Sequence, residues 1–151
     1  MTLQAPLRVL FLCTGNAARS QMAEALLRQL SHERAEVFSA GSAPASGLHP
    51  VAKNILETKY HIDTARLRPK PMQEFLGQHF DFVITVCDKA AETCPVFPGD
   101  PERIHWSFDD PVLVQDQAAQ RRAFEAIANG LGARMRIWMS LPEVRRRIDG
   151  S

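Results

Sequence analysis

The sequence Leu-Arg-Val-Leu-Phe-Leu-Cys-Thr-Gly-Asn-Ala-Ala-Arg-Ser, residues 7–20, joins a predicted strand to a predicted helix through a turn of small residues. Residues 7–12 are an almost continuous apolar run between Pro6 and Gly15, which is typical of a buried strand. From 19 to 32, apolar residues recur at steps of three and four in a segment rich in Ala, Gln, Glu and Leu, which predicts a helix. The chain therefore begins with a strand, a loop and a helix.

The rest of the chain repeats this alternation. The predicted strands are 7–12, 36–40, 82–86 and 103–106, and the predicted helices are 19–32, 50–56, 72–76 and a long one from about 124 that ends near Pro142. Residues 88–111 contain several prolines and are predicted to be mostly loop. The alternation indicates the α/β class, as a three-layer, four-stranded parallel sheet flanked by helices. We expect a single domain over residues 1–151, because this length suits one hydrophobic core.

Composition and charge exclude several classes of protein. Hydrophobic residues make up 45% and charged residues 23% of the chain, as in soluble globular proteins. The formal net charge is +1 and no long like-charge run precedes Arg145-Arg146-Arg147, so we expect no nucleic-acid partner. The apolar stretch 7–13 is too short to span a bilayer or to act as a signal peptide, so we expect a cytoplasmic protein without membrane contact.

The three cysteines, Cys13, Cys87 and Cys94, point to reactivity or packing and not to a structural disulfide framework. Six residues separate Cys87 from Cys94, which is not the usual spacing of zinc ligands, so no metal or other cofactor is expected. Cys87 follows the strand 82–86 as Cys13 follows the strand 7–12, so both should lie at one end of the sheet. The alternative is that Cys87 and Cys94 are small core fillers.

Residues 13–20 connect the first predicted strand to the N-terminus of the first predicted helix, and we call them the anion loop. Backbone N–H groups there can converge on an anion, and the helix end adds partial positive charge. The oxyanion-binding residues predicted in this way are Thr14, Gly15, Asn16, Ala17, Ala18, Arg19 and Ser20.

The helix end and the guanidinium of Arg19 should lower the pKa of Cys13 and make it a nucleophile at neutral pH. Arg19 can donate two parallel hydrogen bonds to a tetrahedral ion, and Ser20 can donate to the sulfur. The alternative is a buried, inert cysteine with Arg19 in a surface ion pair.

Five motifs carry a resemblance to a known family. They are Val-Leu-Phe-Leu-Cys-Thr-Gly-Asn-Ala-Ala-Arg-Ser-Gln-Met-Ala-Glu (9–24), Phe-Ser-Ala-Gly (38–41), Thr-Val-Cys-Asp (85–88), Glu-Thr-Cys-Pro (92–95) and His-Trp-Ser-Phe-Asp-Asp-Pro (105–111). Together they resemble the thioredoxin-coupled arsenate reductases that share the low-molecular-weight tyrosine phosphatase fold. The resemblance runs to about Leu141, and we expect residues 142–151 to form a disordered tail.

This resemblance implies a set of roles. Cys13 is the nucleophile, Asp110 the general acid, and Cys87 and Cys94 carry a disulfide relay that converts arsenate to arsenite in arsenic detoxification. Phosphate or sulfate should bind as analogues of arsenate, and thioredoxin is the expected reductant. Glutaredoxin and mycothiol remain open as alternatives.

Two positions depart from the family's pattern. Ala17 stands where family loops carry Ser, so one hydroxyl that could bond within the loop is absent. Some members bind potassium through an Asn, a Glu, a Ser and an Asp. The first three match Asn16, Glu24 and Ser39, whereas the Asp position holds Lys70. An ammonium there could replace the ion, so no bound cation is expected.

Two other functions compete with the reductase. A phosphotyrosine phosphatase needs the same nucleophile, arginine and aspartate, but Val112-Leu113-Val114 lacks the tyrosine usual in those enzymes. A non-catalytic oxyanion-binding module is disfavoured by Asp110, because a carboxylate repels a bound anion unless it is protonated. Asp109 is the second choice for the acid, and His105 and Trp106 are expected to pack.

Overall fold

The computed structural model describes residues 5–149, which form an α/β fold around one parallel sheet. The strands are β1 Leu7–Cys13, β2 Ala35–Gly41, β3 Phe82–Thr85 and β4 Glu102–His105, in the order β2-β1-β3-β4. All three strand pairs are parallel. The predicted four-stranded parallel sheet is therefore confirmed.

Five α-helices accompany the sheet within residues 5–149. They are α1 Arg19–Leu30, α2 Pro50–Thr58, α3 Asp88–Thr93, α4 Gln117–Met139 and α5 Pro142–Asp149, and short 3-10 helices occur at Met72–Glu74 and Pro111–Leu113. None of the helices in this part of the chain combines the length and the apolar character that a bilayer crossing needs.

The core lies around β1, which is central in the sheet and therefore covered on both faces. Leu10, Phe11 and Leu12 are fully buried in this strand, as expected of an interior parallel strand. On α4 the apolar stripe that predicted the helix faces the core, where Trp138 meets Phe82 with ring centroids 5.1 Å apart. The parallel pairing of Leu12 with Thr85 places the carboxyl ends of β1 and β3 side by side.

The prediction that residues 88–111 are mostly loop is wrong for their first part, because Asp88–Thr93 is the helix α3. Its sequence Asp-Lys-Ala-Ala-Glu-Thr contains good helix formers, and Asp88 in the first turn suits the helix dipole. Ala90 is fully buried, so this side of the helix packs against the core. Cys87 and Cys94 are consequently the two caps of a helix and do not lie in a loop.

The predicted disordered tail is also wrong over residues 142–149, which form α5. Val144 and Ile148, four positions apart, are buried against the core, so the helix has the apolar face that packing requires. Arg147 Nη2 lies 3.3 Å from Asp81 Oδ2. The last two residues of the predicted tail, 150–151, lie outside the described residues.

Candidate active site

The anion loop turns its carbonyl groups outward. Amides of the segment that connects β2 to α2 donate to them at 2.9–3.3 Å, in the pairs Ser42 to Cys13, Ala43 to Thr14, Ala45 to Gly15 and His49 to Ala17. Within residues 5–149, no oxygen accepts from the amides of Gly15, Ala17 and Ala18. The loop therefore presents free N–H groups at the end of the sheet and at the start of α1, which is the arrangement that binds an anion.

Cys13 lies inside this loop with 3% of its surface exposed. Its Sγ is 2.9 Å from the Ser20 hydroxyl, and it accepts a hydrogen bond of 3.2 Å from the Asn16 amide. Burial raises the pKa of the Cys13 thiol, although the hydrogen bonds from Ser20 and Asn16 act in the opposite direction. The predicted lowering of this pKa is therefore wrong, because the cost of burying a thiolate outweighs the donors around the sulfur.

A buried polar network fixes the loop from below. Asn16 is fully buried with a positive φ of 50°, a conformation that Asn tolerates better than most residues. Its Nδ2 donates to the hydroxyls of Ser20 at 2.7 Å and Ser39 at 2.9 Å, and Ser39 donates to Glu24 Oε1 at 2.6 Å. Ala17 adds no hydroxyl to the anion loop. The hydrogen bonds of Asn16 to Ser20 and Ser39 connect the loop to α1 and β2.

Lys70 lies at the far side of the same network. Its Nζ is 3.4 Å from Glu24 Oε1, while Arg28 Nη1 is 2.8 Å from Glu24 Oε2. Burial lowers the pKa of Lys70, and the nearby Glu24 carboxylate partly opposes this shift. The ammonium is therefore beside one of the three residues that match the family's potassium ligands. Over residues 5–149 there is no cluster of three metal-ligating His, Cys, Asp or Glu side chains.

Arg19 and Asp110 meet above the loop. Arg19 Nη1 donates to the Phe108 carbonyl at 2.8 Å, and its Nη2 lies 3.7 Å from Asp110 Oδ2. Asp110 Oδ1 accepts from the Val112 amide at 3.0 Å, which caps the 3-10 helix that follows. Asp109 is exposed, and among the ion pairs of residues 5–149 Arg19 is paired with Asp110 and not with Asp109. Of the two candidate acids, Asp110 is thus the one beside Arg19.

Cys87 lies next to the loop, whereas Cys94 does not. The Cys87 Sγ is 3.5 Å from the Thr14 hydroxyl, and the residue is 5% exposed at the start of α3. Cys94 is half-buried at the other end of α3, about 10 Å further along the helix axis at 1.5 Å per residue. Burial raises the pKa of Cys94, and the positive charge of Arg103 opposes the shift.

His105 is exposed, so the expectation that it packs is wrong. Its ring nitrogens lie 2.7 Å from the Thr85 hydroxyl and 2.9 Å from Asp88 Oδ1, at the edge of the candidate site. His49 was also missed: its amide contacts Ala17, its ring stacks on Phe124 with centroids 4.7 Å apart, and burial lowers its pKa. His105 ends β4 and His49 precedes α2. Their positions at these element ends are the only indication in the sequence that they could lie near the site.

Comparison with known proteins gives consistent results. The model of the low molecular weight phosphotyrosine protein phosphatase family matches residues 8–148. An arsenate reductase of Halalkalibacterium halodurans is 35% identical over 129 residues, which is 85% of this chain and 91% of that relative.

Two solved structures are similar as well. A thioredoxin-dependent arsenate reductase of Corynebacterium glutamicum matches 91% of this chain at 31% identity with a TM-score of 0.67, and this chain spans 63% of its length. An arsenate reductase from Archaeoglobus fulgidus matches 84% of this chain and 98% of its own at 29% identity, with a TM-score of 0.65. Because the family model covers almost the whole described fold and the relatives match over most of their length, this chain belongs to the low molecular weight phosphotyrosine protein phosphatase family, among its arsenate reductases.

Proposed function

We propose that this enzyme reduces arsenate to arsenite with Cys13 as the nucleophile and with Cys87 and Cys94 as a disulfide relay. The observation that carries the proposal is the contact between the Cys87 thiol and Thr14 at 3.5 Å. It brings a second thiol to the rim of the anion loop, which a phosphatase does not need. Phosphate and sulfate should compete with arsenate, because they present the same tetrahedral oxygens to the loop amides.

In the first step Cys13 attacks the arsenic atom of hydrogen arsenate. One oxygen leaves as water with the thiol proton and the substrate proton, so the adduct is a thioester of arsenic acid that still carries two negative charges. Asp110 delivers a proton to the departing oxygen as the general acid and recovers the thiol proton of Cys13, so the step consumes no third proton. The loop amides and Arg19 stabilise the charge, for which Arg19 has to exchange its contact with Phe108 for the substrate oxygens.

In the second step the thiol of Cys87 attacks the sulfur of Cys13. The sulfur–arsenic bond breaks, its electron pair stays on arsenic, and arsenite leaves with the Cys87 proton. Two electrons have then passed from two thiols to arsenic, and a Cys13–Cys87 disulfide remains. The proximity of Cys87 to the loop supports this order.

In the third step Cys94 attacks Cys87, which frees Cys13 and leaves a Cys87–Cys94 disulfide. A dithiol partner then reduces this bond by exchange. We propose thioredoxin as that partner, since the similar protein of Corynebacterium glutamicum is named thioredoxin-dependent. A cytoplasmic location suits the reaction, because that compartment keeps thiols reduced.

Phosphatase activity is the second candidate, because the family is named for it. Hydrolysis of a phosphate ester would need only Cys13, Arg19 and Asp110. The residues after Asp110 argue against a phosphotyrosine substrate, since Val112 and Leu113 expose aliphatic side chains where an aromatic wall would be required.

The test is arsenite release from arsenate with purified thioredoxin, thioredoxin reductase and NADPH. A parallel reaction contains glutathione and glutaredoxin, and a third follows hydrolysis of a small aryl phosphate. We expect rapid NADPH-dependent turnover in the first reaction and slow hydrolysis in the third. Fast hydrolysis without arsenite release would contradict the proposal in favour of the phosphatase.

A further inference from the structure

Two side chains on one face of β4 form hydrogen bonds at the two ends of α3. Arg103 and His105 are two positions apart on this strand, so their side chains leave the same face of the sheet. His105 Nε2 is 2.9 Å from Asp88 Oδ1, and Asp88 is the first residue of α3. Arg103 Nη2 donates to the carbonyl of Pro95 at 2.9 Å, directly after the cap at the other end.

The contact at the start of α3 is a chain of hydrogen bonds. An ionised carboxylate can only accept hydrogen bonds, so His105 Nε2 carries the hydrogen in its bond to Asp88. The other ring nitrogen of His105, Nδ1, is hydrogen-bonded to the Thr85 hydroxyl at 2.7 Å. Ser107 also donates to Asp88 Oδ1, at 3.2 Å. The hydrogen bond from His105 and, to a smaller extent, the one from Ser107 lower the pKa of Asp88. Asp88 is thereby tied to β3 and β4 and not only to its own helix.

The contact at the end of α3 involves the second relay thiol. The guanidinium of Arg103 is close enough to Cys94 to oppose the rise in pKa that burial causes. The Cys94 thiol itself lies 3.6 Å from the Pro95 carbonyl that Arg103 binds. Arg103 therefore fixes the backbone beside Cys94 and favours its thiolate.

The relay cannot finish while α3 is intact. A disulfide requires the two Cα atoms to lie within about 7 Å. Seven helical steps separate Cys87 from Cys94 and place them about 10 Å apart. At least one end of α3 must therefore leave its position before a Cys87–Cys94 bond can form, and both ends are held by β4.

We propose that Arg103 and His105 are positioning residues of the relay, which hold α3 in the helical form of the reduced enzyme. This inference rests on the proposed disulfide relay. By stabilising the dithiol form relative to the disulfide, the two residues set how readily Cys94 closes on Cys87.

The test is the equilibrium of the Cys87–Cys94 pair with glutathione in full-length protein that carries Cys13→Ser, so that only one pair can form. The reaction converts protein dithiol and glutathione disulfide to protein disulfide and two molecules of glutathione. His105→Val and Arg103→Met should each shift it toward the protein disulfide by about threefold to tenfold, the range for loss of a hydrogen bond. This corresponds to a reduction potential more negative by about 14 to 30 mV.

Two further variants separate positioning from general damage to the fold. His105→Gln keeps a donor for Asp88 and should remain near the parent value. Arg121→Met removes a surface arginine that bonds to Asn54 at 2.8 Å, remote from α3, and should also leave the equilibrium unchanged. The urea midpoint of each reduced variant verifies that it folds, and the Arg103 and His105 variants test the proposal independently of each other.

The outcomes distinguish this inference from the relay on which it rests. If the parent protein forms the Cys87–Cys94 disulfide and the folded His105→Val and Arg103→Met variants give the same equilibrium constant, β4 does not control α3 although the relay stands. If the parent forms no such disulfide with excess glutathione disulfide, both the relay and the role of β4 are wrong. A shift in the two variants, without one in His105→Gln and Arg121→Met, supports the proposal.

Discussion

Cys87 and Cys94 cap opposite ends of one six-residue helix, with Cys87 as the N-cap and Cys94 as the C-cap of α3. Only Cys87 is beside the anion loop, where its sulfur lies 3.5 Å from the Thr14 hydroxyl. The first disulfide can therefore form near the positions that the structure shows. The second requires α3 to unwind, so a conformational step lies between the two thiol exchanges.

Arg19→Lys should lower kcat/KM for arsenate by more than tenfold. A lysine ammonium cannot form the two parallel hydrogen bonds of a guanidinium, and it loses the contact with the Phe108 carbonyl. Steady-state arsenite release measures the effect, with Arg121→Lys on the surface of α4 as the control. A loss below about tenfold, equivalent to roughly 1.4 kcal/mol, would show that the guanidinium is not needed in the transition state.

Asp110→Asn should reduce kcat for arsenate by about a hundredfold or more, the usual contribution of a general acid. The neighbouring Asp109→Asn is the matched control, because it removes the same charge one residue away from the contact with Arg19. It should change kcat less than twofold, within the spread of a surface substitution of up to about 0.5 kcal/mol. If the two substitutions have equal effects, Asp110 is not the acid.

Alkylation of Cys13 by iodoacetamide should accelerate as the pH rises beyond the ordinary thiol value of 9.0, because burial raises the pKa of this group. The measurement uses protein with Cys87→Ser and Cys94→Ser. Since the folded pKa lies above the unfolded one, the stabilising contribution of the Cys13 thiol is complete below pH 9.0. It is lost as the pH rises through the folded pKa. A reactivity inflection well below pH 9.0 would instead support the thiolate expected from the helix end.

Lys70→Asp should create a potassium requirement that the parent protein lacks. The substitution restores the fourth ligand type of the family's potassium site beside Asn16, Glu24 and Ser39, and removes the ammonium 3.4 Å from Glu24. We expect the melting temperature of the variant to be higher in potassium chloride than in choline chloride by about 3 °C, which is about 1 kcal/mol for this size of domain. The parent protein should show no difference. Potassium stabilisation of the parent would mean that Lys70 does not replace the ion.

The sequence was sufficient for the strand, loop and helix that build the anion loop. A continuous apolar strand, small loop residues and a helical repeat all agree there, so local and tertiary preferences coincide. The position of Cys87 at the same end of the sheet followed from its place after a β-branched strand. Parallel pairing of β1 with β3 confirms that position.

Three features of the molecule could not be predicted from the sequence. Helix α3 is short and is followed by prolines, so its helix formers were outweighed by turn signals. In α5 the run of arginines concealed the spacing of Val144 and Ile148, which is the only apolar signal in that segment. The pKa of Cys13 depends on how deeply the sulfur is buried, which no local pattern reveals.

We predict that the three thiols differ in which reaction needs them. Cys87→Ser and Cys94→Ser should each eliminate thioredoxin-coupled arsenate turnover, because reduction needs two electrons from a dithiol pair. Hydrolysis of a small aryl phosphate should continue in both, since it needs only Cys13, Arg19 and Asp110. Turnover of arsenate in both variants would exclude the relay.

Peptide mapping of alkylated protein after one round of arsenate tests the relay most directly. In Cys94→Ser protein we expect a Cys13–Cys87 disulfide, because Cys87 is the thiol beside the loop. In Cys87→Ser protein no Cys13–Cys94 bond should accumulate quickly. The parent protein should end with a Cys87–Cys94 disulfide and a free Cys13. If all three thiols of the parent remain free after arsenate has been consumed, the relay is absent and the reductase mechanism is contradicted.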